Sequence, residues 1–528
     1  MESNVTVSNE NTKENILNRE NVLLLIGSLM LGVLFDILFY GKPLGVSYPI
    51  FILAFYVIML WNSRKLIVFE LNFGWFLSIP ILMLSFAFFI FSNPMFQVLN
   101  FIAVPALIVS QTLLITKNNK YKWYTTRFLD EIFQSVFLKS LEHVFKPFKL
   151  IFDWITKKIE GKYAVVSKVL IGLAISIPLM LVVVVLLSSA DQIFAQFSNS
   201  IFNLFSNIKI DELIFRVAVV LFVSVVLFSY MWSLIYPIIN NESVDKEKPL
   251  NRILDPIIVV TVLFSINIIY LLFVFIQFTY LFGGADFALP PDFTHSDYAR
   301  RGFFELLTVT LINLSVLLCC INFTKDSGKA ISKLVRILNS MMVVSTLVML
   351  YSAHFRMSLY EEAYGYTYLR VLTHAFMAYI FVLLTVALFR IWNQRTSLVK
   401  WYIMISILAY IIVNYSNIDA IISKNNINRY HEYERIDVSY LSSLSPDAVP
   451  FAIELFKDKN KNIAIEVENY LYKQKEKLTK KNFWQSFNIS EYRAKNILDK
   501  YNLRYHEDEV NDMSDKIEKL RSIDETGY

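Results

Sequence analysis

Cysteine is almost absent from this sequence, and the two residues present cannot build a metal site or a disulfide framework. Cys319 and Cys320 are adjacent and lie within an apolar segment, so they lack the spacing of zinc ligands. The sequence also has no Walker A loop, no HExxH or GxSxG motif and no kinase signature set. Its loops lack the mixture of aromatic and basic residues that is typical of nucleic-acid binding. We therefore expect no cofactor, no metal and no nucleic-acid partner, and no motif identifies a catalytic residue.

Charge is scarce as well. Charged residues form 18% of the 528 residues, against about 25% in soluble proteins, whereas hydrophobic residues form 55%. Residues 170–190 carry no charge and have no polar face, and roughly 20 helical residues cross the hydrocarbon core of a bilayer. The sequence therefore predicts an all-α protein, a polytopic transmembrane bundle of about 11 spans within residues 22–418. The expected spans are residues 22–40, 45–61, 71–91, 95–116, 165–188, 213–236, 256–282, 302–323, 336–355, 367–389 and 401–418.

The basic residues of the loops predict the orientation. The polar residues 1–21 have no signal-peptide order, so we expect span 1 to be an uncleaved signal anchor. With a cytoplasmic N-terminus, the inner side carries 25 Lys and Arg residues before residue 419 and the outer side carries seven. This bias follows the positive-inside rule. An odd number of spans then places residues 419–528 outside the cell, in a multi-pass protein of the cell membrane.

Two connecting segments and the tail have helical patterns of their own. Apolar residues recur at helical spacing near 128–155, with Lys and Glu between them, and again near 191–208 without the basic residues. Both segments fit an amphipathic helix on the membrane surface, and both also fit a helix packed on the bundle. Residues 419–528 predict a small soluble helical domain, with Ser445 and Ser490 as helix N-caps.

Ionisable residues near the outer ends of spans 8, 9 and 10 are the candidate binding residues. Such residues are costly in a membrane and usually face a polar cavity or each other. In the functional interpretation, arginines hold an anion as forked donors and histidines transfer protons. In the structural interpretation, Arg301 pairs with Glu305 and Arg370 pairs with Glu362, which locks helix packing. The candidate residues of this anion pocket are Arg301, Glu305, His354, Arg356, Glu362, Arg370 and His374.

Four motifs occur in one order in the second half of the chain. They are YARRGFFEL (298–306), RMSLYEEAYGYTYLR (356–370) followed by His374, NIDAIISKNNINRY (417–430) and LSSLSPDAVP (441–450). This series resembles bacterial polytopic membrane proteins grouped under a domain of unknown function of the 4153/4173 type. The resemblance implies a multi-span bacterial membrane protein and assigns no reaction.

Two classes of function fit these features. The first is a sensor, regulator or scaffold with a polar anion pocket at the outer ends of spans 8–10. The alternative is an enzyme or transporter that acts on a lipid-linked or amphipathic anionic substrate in the outer leaflet. The expected partners are membrane lipids, including an anionic phospholipid or a polyprenyl phosphate, and the sequence names no protein partner.

Overall fold

The computed structural model describes residues 19–67, 70, 72–158, 210–237, 252–282, 295–481 and 483–506, with isolated positions between 172 and 194. This part of the chain is helical; its β-structure is one parallel bridge between Leu254 and Thr324. Nine helices in the described residues are long and apolar enough to cross a membrane, and Ser47–Ser63 is apolar but shorter. The prediction of an all-α, polytopic membrane bundle is confirmed.

Each span that the structure describes keeps the number, from 1 to 11, of the predicted span to which it corresponds. Predicted span 5, at 165–188, lies outside the described residues apart from a few isolated positions. Span 9 has 36 residues, so at 1.5 Å per residue it is about 54 Å long and extends beyond a hydrocarbon core of about 30 Å. The observed bounds are span 1 Arg19–Phe39, span 2 Ser47–Ser63, span 3 Phe73–Phe76 with Ser78–Ile90, span 4 Pro94–Ile115, span 6 Ile210–Ile235, span 7 Pro256–Phe282, span 8 His295–Phe323, span 9 Lys329–Tyr364, span 10 Tyr368–Trp392 and span 11 Leu398–Tyr415.

The chain forms two compact units. The first consists of Met1–Phe86, Ile102–Asn241 and Phe483–Phe487. The second consists of Ala87–Phe101, Glu242–Asn482 and Asn488–Tyr528. Spans 7–11, the turn between spans 3 and 4, and the tail apart from Phe483–Phe487 therefore belong to the second unit.

In the first unit, hydrogen bonds bring together helix ends that the predicted topology places on one side. Asn118, just after span 4, donates from Nδ2 to the carbonyl of Leu234 near the end of span 6, at 2.6 Å. Tyr236 donates to Asn21 at the start of span 1, at 2.8 Å. The end of span 4, the end of span 6 and the start of span 1 therefore lie together, as the predicted topology places them.

An ion pair between a buried carboxylate and a partly exposed guanidinium joins spans 1 and 6 within this unit. Asp36 is buried in span 1, and Arg216 of span 6 reaches it with Nη2 at 2.5 Å from Oδ2 and Nε at 3.1 Å from both carboxylate oxygens. A lone buried carboxylate would be costly in a membrane, so the arginine compensates it.

The segment near 128–155 forms three helices, Thr126–Val136, Leu138–Leu141 and Lys146–Lys158. Their polarity is inverted relative to a soluble protein. Glu131 and Ser135 are buried, and the Glu131 carboxylate accepts the backbone N–H groups of Lys120 and Tyr121 at 2.7 and 3.2 Å. Large apolar side chains face outward instead, namely Leu129, Phe133, Phe137, Leu138, Leu141, Phe145, Phe148, Ile151 and Phe152. This arrangement suits a helix surface that contacts lipid. The segment near 191–208 lies outside the described residues, apart from positions 191, 193 and 194.

Span 9 is the central helix of the second unit and contacts spans 7, 8 and 10. Its contacts are apolar along most of the membrane. Leu263 of span 7, Leu317 of span 8, Met342 of span 9 and Ala387 of span 10 are all fully buried in one cluster. This packing fixes the ends of spans 8–10 relative to one another, and those ends carry the predicted pocket.

The tail has its own apolar core. Its main helices are Ile418–Tyr433, Lys461–Thr479 and Ile489–Leu498, and its fully buried residues include Ile422, Leu455, Val467, Leu471 and Leu498. This core holds the short turns between the helices in place, so the tail presents fixed polar groups to the rest of the unit.

One predicted helix cap in the tail is confirmed and the other is wrong. Ser445 caps the turn Pro446–Ala448, as predicted. Ser490 does not cap the last helix, because Asn488 accepts the N–H groups of Ser490 and Glu491 at 2.9 and 3.1 Å. Asparagine caps as well as serine does, and the helix begins before Ser490, which frees the Ser490 hydroxyl for another contact.

Candidate functional site

Two histidines and a glutamate form a hydrogen-bonded chain where spans 9 and 10 meet. His354 Nδ1 lies 2.7 Å from His374 Nδ1, and His374 Nε2 lies 2.9 Å from Glu361 Oε2. The two imidazole rings are 4.6 Å apart in an edge-to-face arrangement. His354 is exposed and Glu361 is only 4% exposed, so the chain runs from the protein surface to a buried carboxylate.

The buried carboxylate is incompletely satisfied. Within the described residues, Glu361 Oε1 has no hydrogen-bond partner. A buried acceptor without a partner is rare in folded proteins and marks a position where a proton, water or ligand group is needed.

The predicted pocket contained Glu362, and the structure places Glu361 in the chain instead. Glu362 accepts a hydrogen bond from the Tyr433 hydroxyl at 3.0 Å, and this bond raises the pKa of Tyr433. Glu361 follows His354 by seven residues, which is two helical turns, so both face span 10. This spacing was the sequence signal that could have selected Glu361.

Two arginines bind the carbonyl oxygens at the end of span 9. Arg370 Nη1 donates to the carbonyls of Tyr364, at 3.1 Å, and Gly365. Arg429 of the tail donates from Nε to Glu362 at 2.7 Å and from Nη2 to Ala363 at 2.5 Å. The last carbonyls of a helix lack intrahelical partners and carry partial negative charge, so these cations stabilise the helix end. The predicted pairing of Arg370 with Glu362 is not present.

Arg370 also lines a cleft of about 310 Å³ between the ends of spans 8, 9 and 10. Its guanidinium lies 4.4 Å from the ring centre of Tyr360. Within the described residues its Nε and Nη2 have no hydrogen-bond partner, so the guanidinium keeps donors for a ligand. The other lining residues are mostly apolar: Phe303, Phe304, Met357, Tyr360, Thr367, Leu369 and Thr373. One cation on an apolar wall is suited to an amphipathic anion.

The remaining predicted pocket residues are only partly brought together. Glu305 is exposed on span 8, one position after the cleft residue Phe304, and Arg356 is half-buried on span 9. The side chain of Arg301 lies outside the described residues. The structure therefore joins His354 with His374 directly and places Arg370 in the cleft on the same two helix ends.

Sequence reasoning missed a second polar cluster, in which two carboxylates are buried at 1% and 4% exposure. Asp419 accepts from Asn93 Nδ2 at 2.7 Å, from the Ser445 hydroxyl at 2.8 Å and from the Tyr368 hydroxyl. Its partners come from the turn between spans 3 and 4, the tail and span 10, so Asp419 connects three parts of the unit. The motif NIDAIIS, which contains Asp419, was the available signal.

Asp447 is the other buried carboxylate of this cluster. Its Oδ2 accepts from the backbone N–H and the hydroxyl of Ser92, at 2.9 and 2.6 Å. Its Oδ1 accepts from Asn417 Nδ2 at 3.1 Å and from the Ser490 hydroxyl. Four donors to one carboxylate stabilise the anion, since hydrogen bonds to a charged group contribute about 1.5–3 kcal/mol each. Asp447 therefore fastens the tail to the turn between spans 3 and 4.

A cleft of about 470 Å³ opens beside Asp447. Asn417, Ser490 and Arg493 line its polar side, and Phe91 and Phe451 lie among its apolar residues. The described residues contain no group of three or more His, Cys, Asp or Glu side chains arranged to hold a metal ion. Binding in this cleft would therefore rest on hydrogen bonds, one arginine and apolar contact.

The helices and their polar clusters define an integral membrane protein of the polytopic α-helical class. Within that class, the family model "Domain of unknown function (DUF4153)" matches residues 78–455, more than two-thirds of the 528 residues. The chain belongs to this family, and the predicted resemblance is confirmed. No curated protein and no solved structure matches the chain.

Proposed function

We propose that this protein is a sensor or regulator of the bacterial cytoplasmic membrane. Its N-terminus is cytoplasmic and its tail is extracellular in this proposal. The His354–His374–Glu361 chain binds a proton, and the cleft beside Arg370 binds an amphipathic anion such as an anionic phospholipid or a polyprenyl phosphate. The observation that carries the proposal is this hydrogen-bonded series of side chains, because it links an exposed imidazole to a buried, incompletely satisfied carboxylate.

The geometry of the two rings couples their protonation. A distance of 2.7 Å between the two Nδ1 atoms requires one ring to donate and the other to accept. When His374 takes up a proton, both of its ring nitrogens donate, one to His354 and one to Glu361. The contact with an ionised Glu361 carboxylate then becomes an ion pair. Protonation of this ring therefore changes the charge between spans 9 and 10.

The ends of spans 9 and 10 that hold the hydrogen-bonded side chains also form the Arg370 cleft. This shared position supports coupling between proton binding and anion binding. Arg370 precedes His374 by four residues and Tyr360 precedes Glu361 by one, so these two cleft residues each lie within a helix turn of a member of the hydrogen-bonded chain. A proton on His374 adds positive charge near Arg370. We therefore expect an anion to bind the cleft more tightly at low pH.

Titration of the full-length protein in nanodiscs with farnesyl phosphate tests this proposal. The wild type should bind more tightly at about pH 5.5 than at about pH 7.5, and Arg370→Gln should bind about tenfold more weakly at both. His374→Gln and Glu361→Gln should remove the pH dependence. The matched control is His431→Gln, because His431 is exposed on the tail.

Two results would overturn the proposal. One is a pH dependence of binding that persists in His374→Gln. The other is failure of His374→Gln and Glu361→Gln to fold in the membrane, judged by their elution as aggregates in detergent. The second result would assign the chain to helix packing.

A second candidate function is an enzyme or transporter acting on a lipid-linked or amphipathic anionic substrate in the outer leaflet. The observation that favours it is the cleft in which Asp447, Ser490 and Arg493 lie beside apolar side chains. Incubation of the protein with farnesyl diphosphate, followed by phosphate analysis, tests the enzymatic form. Release of phosphate that Arg493→Gln abolishes would support an enzyme, and no release above a protein-free blank would count against it.

A further inference from the structure

A third cleft, of about 210 Å³, lies at the opposite end of spans 7–10 from the Arg370 cleft. The end of span 8, the start of span 9, the end of span 10 and the chain before span 7 all contribute to it. A backbone bridge fixes the chain before span 7, because Leu254 donates to Phe323 and accepts from Lys325, both at 3.0 Å. The cleft is therefore assembled by tertiary contacts from four parts of the second unit.

The lining is strongly basic. Four cations, Arg252, Lys325, Arg336 and Arg390, face one carboxylate, Asp326, which leaves a formal charge of +3. Asp326 is 91% exposed and pairs with Arg252. Within the described part of the chain, Arg336 and Arg390 form no ion pair, and both are half-buried. Two half-buried guanidinium groups without a counter-charge favour an anionic ligand in this cleft.

An independent observation points to the rest of the ligand. Asn339 lines the same cleft and is 3% exposed. Its Nδ2 donates to the carbonyl of Val335 at 3.0 Å, so the orientation of the amide is set, and Oδ1 has no partner within the described residues. A buried acceptor without a donor favours a ligand that supplies a hydroxyl or another donor.

We propose that this basic cleft binds a phosphate group that carries a neighbouring hydroxyl, as in the phosphoglycerol headgroup of phosphatidylglycerol. Arg336 and Arg390 hold the phosphate oxygens, and Asn339 Oδ1 accepts the hydroxyl proton. The cleft lies at the end of the bundle that the positive-inside rule assigns to the cytoplasm, where basic pockets between helices meet anionic headgroups. This site shares no lining residue with the Arg370 cleft, so the two proposals can be tested independently.

Lipid binding to the full-length protein in detergent, measured by native mass spectrometry, tests the proposal. The wild type should bind phosphatidylglycerol at least tenfold more tightly than phosphatidylcholine, and the double variant Arg336→Gln/Arg390→Gln should lose this preference. The matched control is Arg395→Gln, since Arg395 is exposed near the same end and does not line the cleft. The hydroxyl contact has its own test: Asn339→Leu should bind phosphatidylglycerol and phosphatidylmethanol equally, whereas the wild type prefers phosphatidylglycerol.

Competition with soluble ligands identifies the source of the phosphate group. Displacement of the lipid by millimolar glycerol phosphate would assign the site to a soluble metabolite class with the same chemistry, and no displacement would assign it to the lipid. Equal binding of phosphatidylglycerol and phosphatidylcholine by the wild type would overturn the proposal. An equal loss of affinity in Arg395→Gln would also overturn it, because nonspecific charge attraction would then account for binding. The thermal unfolding of each variant without lipid shows whether it has kept its fold.

Discussion

Replacement of Asp447 by asparagine should release the tail from the turn between spans 3 and 4. The carboxylate accepts from Ser92 on one oxygen, and from Asn417 and the Ser490 hydroxyl on the other. An asparagine keeps one oxygen and turns an NH₂ group toward the donors on the other side. Two charge-assisted hydrogen bonds are lost there, each worth about 1.5–3 kcal/mol, and the variant also removes the anion.

The expected loss in the free energy of tail docking is therefore about 3–6 kcal/mol before local adjustment. Rotation of the Ser490 hydroxyl toward an acceptor role recovers part of it, so we expect about 3 kcal/mol, which is roughly a hundredfold increase in local opening. Amide hydrogen exchange in the helix Ile489–Leu498, measured on the protein in nanodiscs, should accelerate by this factor. Exchange in spans 8–10 should change less, because their contacts do not involve Asp447.

Asp437→Asn is the matched control for this experiment. Asp437 is exposed and accepts the N–H of Tyr440 at 2.8 Å as a helix N-cap. Asparagine caps equally well, so this variant should exchange like the wild type. The reasoning would be refuted if Asp447→Asn also exchanged like the wild type, because the buried hydrogen bonds would then contribute little to tail docking.

Three further predictions concern other parts of the molecule. Gly365→Ala should lower the free energy of unfolding by about 1–3 kcal/mol, because Gly365 has φ +82° and an added Cβ would lie 2.8 Å from Asn426 Oδ1. At Gly328, the N-cap of span 9, an added Cβ meets no atom, so Gly328→Ala should cost less, at about 1 kcal/mol or below. Phe145 is 80% exposed among the outward-facing apolar side chains of residues 126–158. Phe145→Glu should therefore reduce the membrane-bound fraction of a peptide covering these residues in a vesicle flotation assay. Unchanged flotation would contradict lipid contact. Burial, with a smaller effect from Asp437, raises the pKa of Glu466, so ionisation of Glu466 destabilises the fold as pH rises. Glu466→Gln should therefore raise the melting temperature at neutral pH. This gain should vanish below the usual glutamate pKa of 4.5.

The candidate site was partly predictable. His354, Arg370 and His374 were recognisable because ionisable residues are rare in apolar helices, and the structure places them on adjoining helix ends. The choice of Glu361 over Glu362 depended on which helix face meets span 10. The role of Arg370 as a cap for span 9 depended on the turn at Gly365, which brings the carbonyls of Tyr364 and Gly365 to its guanidinium.

The sequence by itself determined the class of protein, because apolar length is a local property and about 20 consecutive residues suffice to define a membrane span. The tertiary structure alone decided which polar groups meet. Asp36 binds Arg216 at a separation of 180 residues along the sequence, and Asp447 binds Ser92 at a separation of 355 residues. Hydropathy carries no information about such pairs. They form because burying a carboxylate is costly unless donors converge on it, and only the packing of the helices brings those donors together.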